Sequence, residues 1–169
     1  MNKCIFLDRD GVLNVDRVDY VYHLGHFVIP PGVKEGLQAL KDAGYLLIII
    51  TNQSGIAKGV YKREDVYLIH DAIQEGTGVK LDDIYFCPYH EYFDSHSLTR
   101  KPGSLLIEKA AAKYDVDMEA SWMVGDHERD ITAGTRAGLR TIRLAPAGTE
   151  TKATHLVDDL LAASKIIVA

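Results

Sequence analysis

The feature that most constrains this chain is an alternation: short apolar runs of strand length recur between longer stretches with a helical period. "CIFL" (residues 4–7), "YLLIII" (45–50), "IYFC" (84–87), "WMV" (122–124) and "LRTIRL" (139–144) carry the β-branched and aromatic content of buried strands. Between the first two, Val33, Leu37, Leu40 and Ala43 keep an i, i+4, i+7 rhythm that stops at Gly44, a predicted C-cap. The same periodicity predicts helices over 63–74, with Val66, Ile69, His70 and Ile73 on one face, and over 105–113, 131–137 and 158–164. Strands apolar along their whole length have two faces to cover, and strands separated by helices return in the same direction. The predicted class is therefore α/β, a doubly wound three-layer sandwich around a central parallel sheet.

The bulk properties narrow the function. A length of 169 residues suits a single domain, read here as residues 1–169. The net charge of −5 offers no electrostatic attraction for nucleic acid or an anionic membrane, so a small molecule is the expected partner. Two cysteines, Cys4 and Cys87, each inside or ending an apolar run, give no disulfide framework and fit a reducing compartment. The longest aliphatic run, 46–50, is too short to cross a bilayer, and the chain is expected to be soluble and cytoplasmic. Two irregular segments, 15–31 and 88–99, follow predicted strand ends. Ligands of open α/β sheets bind at those ends, which makes these segments the expected substrate loops.

Four pieces of sequence fall in the same class of position. "DRDG" (8–11) follows the first strand, "TNQSG" (51–55) the second and "GDHERD" (125–130) the fourth, while "RKPG" (100–103) precedes a helix. Each alone is ordinary turn or helix-start chemistry. Together they gather a carboxylate nucleophile, a second carboxylate for proton transfer, a hydroxyl, a cation and two more acids at one sheet edge. That inventory suits phosphoryl transfer through an aspartyl-phosphate, and acids so crowded call for a hard divalent cation such as Mg²⁺.

These motifs, in this order from residue 5 to about 144, resemble the haloacid dehalogenase superfamily of phosphohydrolases. The resemblance implies the Rossmann-like fold of that superfamily. It also implies Asp8 as nucleophile, Asp10 as the acid that protonates the leaving oxygen and then activates water, and Thr51 and Lys101 as partners of the phosphoryl group. The metal would be held by the Asp8 carboxylate, the Asp10 backbone carbonyl and Asp126, with Asp130 behind them. The strings "FLDRDGVLN", "GYLLIIITNQSGIAKG" and "RKPG" further resemble the branch that holds heptose 1,7-bisphosphate phosphatases and histidinol-phosphate phosphatases. The gaps between Asp8 and Thr51 and between Lys101 and Asp126 are too short for a separate cap domain, matching the capless members of that branch.

By that likeness the substrate is a small phosphorylated sugar, foremost the C7 phosphate of a heptose 1,7-bisphosphate, with histidinol phosphate as the rival. Arg9, Asp16, Tyr20, Asn52, Gln53, Ser54, Arg100 and His127 are the expected substrate contacts. Two positions depart from the branch. Its structural zinc would here have to use Cys87, His90 and His96 with Glu91 or Asp94, and no zinc is expected; His127 stands where the branch carries a Lys or Arg. A phospho-accepting receiver domain shares the Asp, Thr, Lys and Mg²⁺ inventory, but it places its nucleophile after the third strand. Trp122 and Cys4 are expected in the core, His70 as a structural histidine, and His155 carries no functional signal.

Overall fold

In the computed structural model, which describes residues 1–169, the predicted alternation is realised. Cys4–Leu7 form β1, Val33–Asp42 α1, Leu46–Asn52 β2, Arg63–Thr77 α2 and Asp83–Cys87 β3. Leu105–Tyr114 form α3, Trp122–Gly125 β4, Glu128–Arg136 α4, Arg140–Leu144 β5, His155–Val157 β6 and Leu160–Val168 α5. The sheet runs β3-β2-β1-β4-β5-β6 with every neighbouring pair parallel. The chain steps outward from β1 to β3, then restarts on the other side of β1 with β4. A crevice opens at that reversal, at the C-terminal edge between β1 and β4.

Alternate residues of the central strands feed two separate cores, as a pleated strand covered on both faces requires. Ile5, Leu7, Leu47, Ile49 and Val124 pack with α1, α2 and α5 through Leu37, Leu40, Ile69, Ile73 and Leu160. Cys4, Phe6, Ile48, Ile50 and Met123 pack on the other face with α3 and α4 through Leu106, Ile107, Ala110 and Ala133. Each such aliphatic side chain, fully removed from water, is worth about 1.5–3 kcal/mol before entropy is counted. This two-sided burial is what makes the strand edge rigid enough to carry chemistry.

Two helix starts and one extra strand differ from expectation. α4 starts at Glu128 rather than 131, because the Asp130 carboxylate accepts the His127 N–H at 3.0 Å and closes the helix start there. α5 starts at Leu160, where Asp159 accepts the Ala162 N–H at 2.7 Å, and runs to Val168. β6 was not expected at all; His155 belongs to it, with its ring 5.8 Å from that of Trp122. Trp122 and Cys4 are core residues, and burial pushes the Cys4 thiol far up. No helix is long and apolar enough to cross a membrane.

Candidate active site

Because β2, β1 and β4 are adjacent and parallel, their C-terminal ends place Thr51, Asp8 and Asp126 side by side. Asp8 continues β1 by donating its N–H to the Val124 carbonyl at 3.0 Å, so the nucleophile candidate is clamped against β4. The chain then turns at Gly11, whose φ of +83° suits glycine alone. A Cβ at Gly11 would lie 2.2 Å from Asp126 Oδ2, so the turn after Asp10 passes directly against that carboxylate.

Lys101 is the hub of the site. Only 2 % exposed, its Nζ lies 2.9 Å from Asp8 Oδ1 and 2.8 Å from Asp130 Oδ1, and donates to the Ile50 carbonyl at 2.8 Å. Its backbone is gripped as well: Asn52 Oδ1 accepts the Lys101 N–H at 3.0 Å and Asn52 Nδ2 donates to the Lys101 carbonyl at 3.1 Å. Asp8 Oδ1 also accepts the Arg9 N–H at 2.7 Å, which leaves Oδ2 without a protein partner. Burial pushes the Asp8 carboxyl up to about 7, with Lys101 pulling it down and Asp130 and Asp126 pushing it further up. Burial pushes the Asp130 carboxyl up, but Lys101, the His127 N–H and Arg129 together hold it below the usual carboxylate range.

The Asp10 carboxylate sits in a cradle of donors. Oδ1 accepts Arg9 Nη2 at 2.9 Å, Arg9 Nε at 3.3 Å and Asn14 Nδ2 at 2.9 Å; Oδ2 accepts Gln53 Nε2 at 3.0 Å. This turns two of the expected substrate contacts away from the cleft. Arg9, 1 % exposed, turns inward to Asp10 and to the Val21 carbonyl at 2.8 Å. Gln53, also 1 % exposed, is spent on Asp10, Thr51 and Tyr61. Asn52 reaches the cleft, but its amide is committed to Lys101.

The remaining expected residues do meet. A cleft of about 290 Å³ is lined by Asp8, Asp10, Thr51, Asp16, Tyr20, Asn52, Ser54, Arg100 and His127. Arg17, Val18 and Arg129 line it too and were missed. Arg17 and Val18 belong to the irregular segment 15–31, which was expected to contact substrate without either residue being singled out; Arg129 lies in the first turn of α4. His127 Nδ1 lies 2.9 Å from Asp126 Oδ2, and that partner raises the imidazole above its ordinary pKa against the opposing effect of burial.

The donor set fits a hard divalent cation. Asp126 Oδ1 is buried with no hydrogen-bond partner, Asp8 Oδ2 is unpartnered, and the negative charges of Asp126 and Asp130 push the Asp8 carboxyl up. Asp126, His127 and Asp130 bring ligand atoms within 4.8 Å of one another. Cys87, His90 and His96 form no such cluster: Cys87 Sγ faces the Tyr89 carbonyl, and the His90 ring packs on Tyr92 and Phe93.

Comparison with known proteins agrees with this geometry. The HAD-hydrolase-like family model matches residues 98–163. A D-glycero-alpha-D-manno-heptose-1,7-bisphosphate 7-phosphatase of Burkholderia mallei is 40 % identical over 151 residues, 85 % of this chain and 79 % of that protein. A D-glycero-beta-D-manno-heptose-1,7-bisphosphate 7-phosphatase of Pasteurella multocida is 40 % identical over 157 residues, 88 % and 84 % of the two chains. Among solved structures, the D,D-heptose 1,7-bisphosphate phosphatase of B. bronchiseptica, complexed with magnesium and phosphate, superposes with a TM-score of 0.88 at 30 % identity, covering 98 % of both chains. The chain is thus a phosphomonoester hydrolase of the haloacid dehalogenase superfamily, in the branch that contains the heptose 1,7-bisphosphate phosphatases.

Proposed function

We propose that the protein is a Mg²⁺-dependent phosphatase that removes the C7 phosphate of a D-glycero-D-manno-heptose 1,7-bisphosphate through an aspartyl-phosphate on Asp8, working as a single capless unit over residues 1–169. The observation that carries the chemistry is Asp8 itself: a buried carboxylate with one oxygen pinned by Lys101 and the Arg9 N–H and the other facing the cleft unpartnered. The heptose assignment rests on the names of the relatives that cover most of this chain.

In this reading Asp8 Oδ2 attacks phosphorus as the bond from phosphorus to the sugar oxygen breaks, and Asp10 gives that oxygen its proton. Asp10, now a carboxylate, takes a proton from a water whose oxygen attacks the phosphorus. The bond to Asp8 breaks, inorganic phosphate leaves and both acids return to their starting states. Thr51 donates to a phosphoryl oxygen, and Lys101 keeps Asp8 ionised and offsets the charge that gathers in transfer. Asp8, the Asp10 carbonyl and Asp126 would hold Mg²⁺, with Asp130 behind them; when bound, the ion supplies charge neutralisation for the acids and the phosphoryl group. Asp16, Tyr20, Ser54, Arg100 and His127 line the space left for the rest of the substrate.

The test is phosphate release with Mg²⁺ on heptose 1,7-bisphosphate, histidinol phosphate and a panel of sugar phosphates, with Asp8→Asn and a chelator as controls. The expected result is a kcat/KM preference of roughly a hundredfold for the bisphosphate, about 2.7 kcal/mol of transition-state discrimination. Activity should vanish in Asp8→Asn and with EDTA. A preference for histidinol phosphate, or flat activity over the panel, would overturn the substrate assignment, and full activity in Asp8→Asn would overturn the covalent mechanism.

A further inference from the structure

We infer that Gln53 and Tyr61 are positioning residues for the reaction: Tyr61 fixes which way the Gln53 amide faces, and that amide aims Asp10 and Thr51 together at one phosphoryl group. The inference rests on the proposed role of Asp10 as acid and base. Its geometry begins with the unequal loading of the Asp10 carboxylate. Oδ1 takes three donors, from Arg9 Nε, Arg9 Nη2 and Asn14 Nδ2, while Oδ2 takes only Gln53 Nε2 at 3.0 Å. A filled oxygen has no lone pair left for a proton, so the proton Asp10 delivers resides on Oδ2. The residue touching Oδ2 therefore governs where that proton points.

Gln53 governs Thr51 by the same atom. Nε2 lies 2.9 Å from Thr51 Oγ1, and its two hydrogens serve Thr51 and Asp10, one each. Since Thr51 Oγ1 accepts from the amide, its own O–H is left to donate, and Thr51 opens onto the cleft. A reversed amide would present Oε1 to both partners. That oxygen would accept the Thr51 hydroxyl and the Asp10 proton, and both groups would be turned away from the substrate.

Tyr61 prevents the reversal. Its hydroxyl donates to Gln53 Oε1 at 2.5 Å, and burial holds the phenol well above its ordinary pKa, so it stays a donor. The ring is fixed by construction. A Cβ at Gly55 would lie 2.0 Å from the Tyr61 ring, so this glycine is the notch that admits it. Beyond, the ring stacks on Tyr22 at 5.4 Å and 12° and meets Tyr20 edge-on at 5.7 Å. Gln53 and Tyr61 are 1 % and 6 % exposed and neither lines the cleft, so they act through Asp10 and Thr51 and not on substrate.

The leaving group separates this role from simple packing. An alcohol must be protonated as it departs, whereas p-nitrophenolate needs little help, so damage to the acid is felt mainly on aliphatic esters. Tyr61→Phe keeps the ring and its stacking. It is expected to lower kcat/KM roughly tenfold or more on whichever of heptose 1,7-bisphosphate, histidinol phosphate and fructose 1,6-bisphosphate the wild type turns over fastest, and less than about threefold on p-nitrophenyl phosphate. Gln53→Met should show the same selectivity, and the double variant should be no worse than Gln53→Met alone. Equal losses on both ester types, no loss, or additive losses in the double variant would overturn the inference. Asp10→Asn is the reference: a selective loss there with none in Tyr61→Phe refutes the positioning role alone, and no selectivity in Asp10→Asn refutes the acid role beneath it.

Discussion

Lys101→Met tests whether the site is organised around one buried cation. The ammonium is 2 % exposed and lies within 2.9 Å of Asp8, 2.8 Å of Asp130 and 2.8 Å of the Ile50 carbonyl. Methionine fills the same space but leaves two buried carboxylates and a carbonyl without their common donor. Breaking one buried ion pair from one side costs about 3–5 kcal/mol, and two acids sharing the lost cation place this case at the upper end. A domain of this size holds roughly 5–15 kcal/mol, so the variant should fold at 25 °C but with little in reserve. With a urea slope of about 2 kcal/mol per molar, the unfolding midpoint should drop by about 2 M with the slope unchanged. Urea unfolding followed by circular dichroism without added metal measures it. Adding Asp130→Asn removes one stranded charge and should recover part of the loss. A midpoint shift below about 0.5 M would mean that water already screens these charges, and the argument for a desolvated hub would fail.

Two further perturbations probe other parts of the structure. Gly11→Ala puts a Cβ at 2.2 Å from Asp126 Oδ2 and strains a φ of +83°, at about 1–2 kcal/mol for the backbone alone; activity titrated with Mg²⁺ should need more metal for half-saturation, and an unchanged curve would refute the contact. His70, on the buried face of α2, is held below its ordinary pKa by desolvation. Below the unfolded value of 6.5 the unfolded chain therefore takes up a proton that the native state refuses, and stability falls as pH falls. His70→Leu should flatten that fall between pH 7 and 5, and equal drops in urea midpoint for both proteins would exclude His70 as its source.

What the sequence disclosed about this site follows from how each residue reaches it. Asp8, Thr51 and Asp126 are delivered by strand ends, and an apolar run followed by a polar residue marks such an end in one dimension. Asp130 was harder: four positions beyond Asp126 at a helix start, it reads equally well as a solvated acid near the helix dipole. Only the arrival of Lys101 from a distant loop makes it a buried anchor. β6 escaped notice because its three residues, at the sheet edge and only half covered, carry no apolar run. Arg9 and Gln53 sit in the expected neighbourhood but face away from the cleft, and Asn52 lines the cleft with its amide tied to the Lys101 backbone. Their partners are the Val21 carbonyl, the Lys101 backbone and the Tyr61 hydroxyl, none of which lies in a periodic segment that could announce it. A polar side chain at a strand end can face the cleft or turn beneath it, and the choice depends on whether a hydrogen-bond partner waits below. Here one does for each, so the residues touching Asp10 form a floor under the cleft and not part of its wall. Substitutions there should alter the rate of chemistry more than the affinity for substrate, the reverse of what is expected at Arg100 or Tyr20.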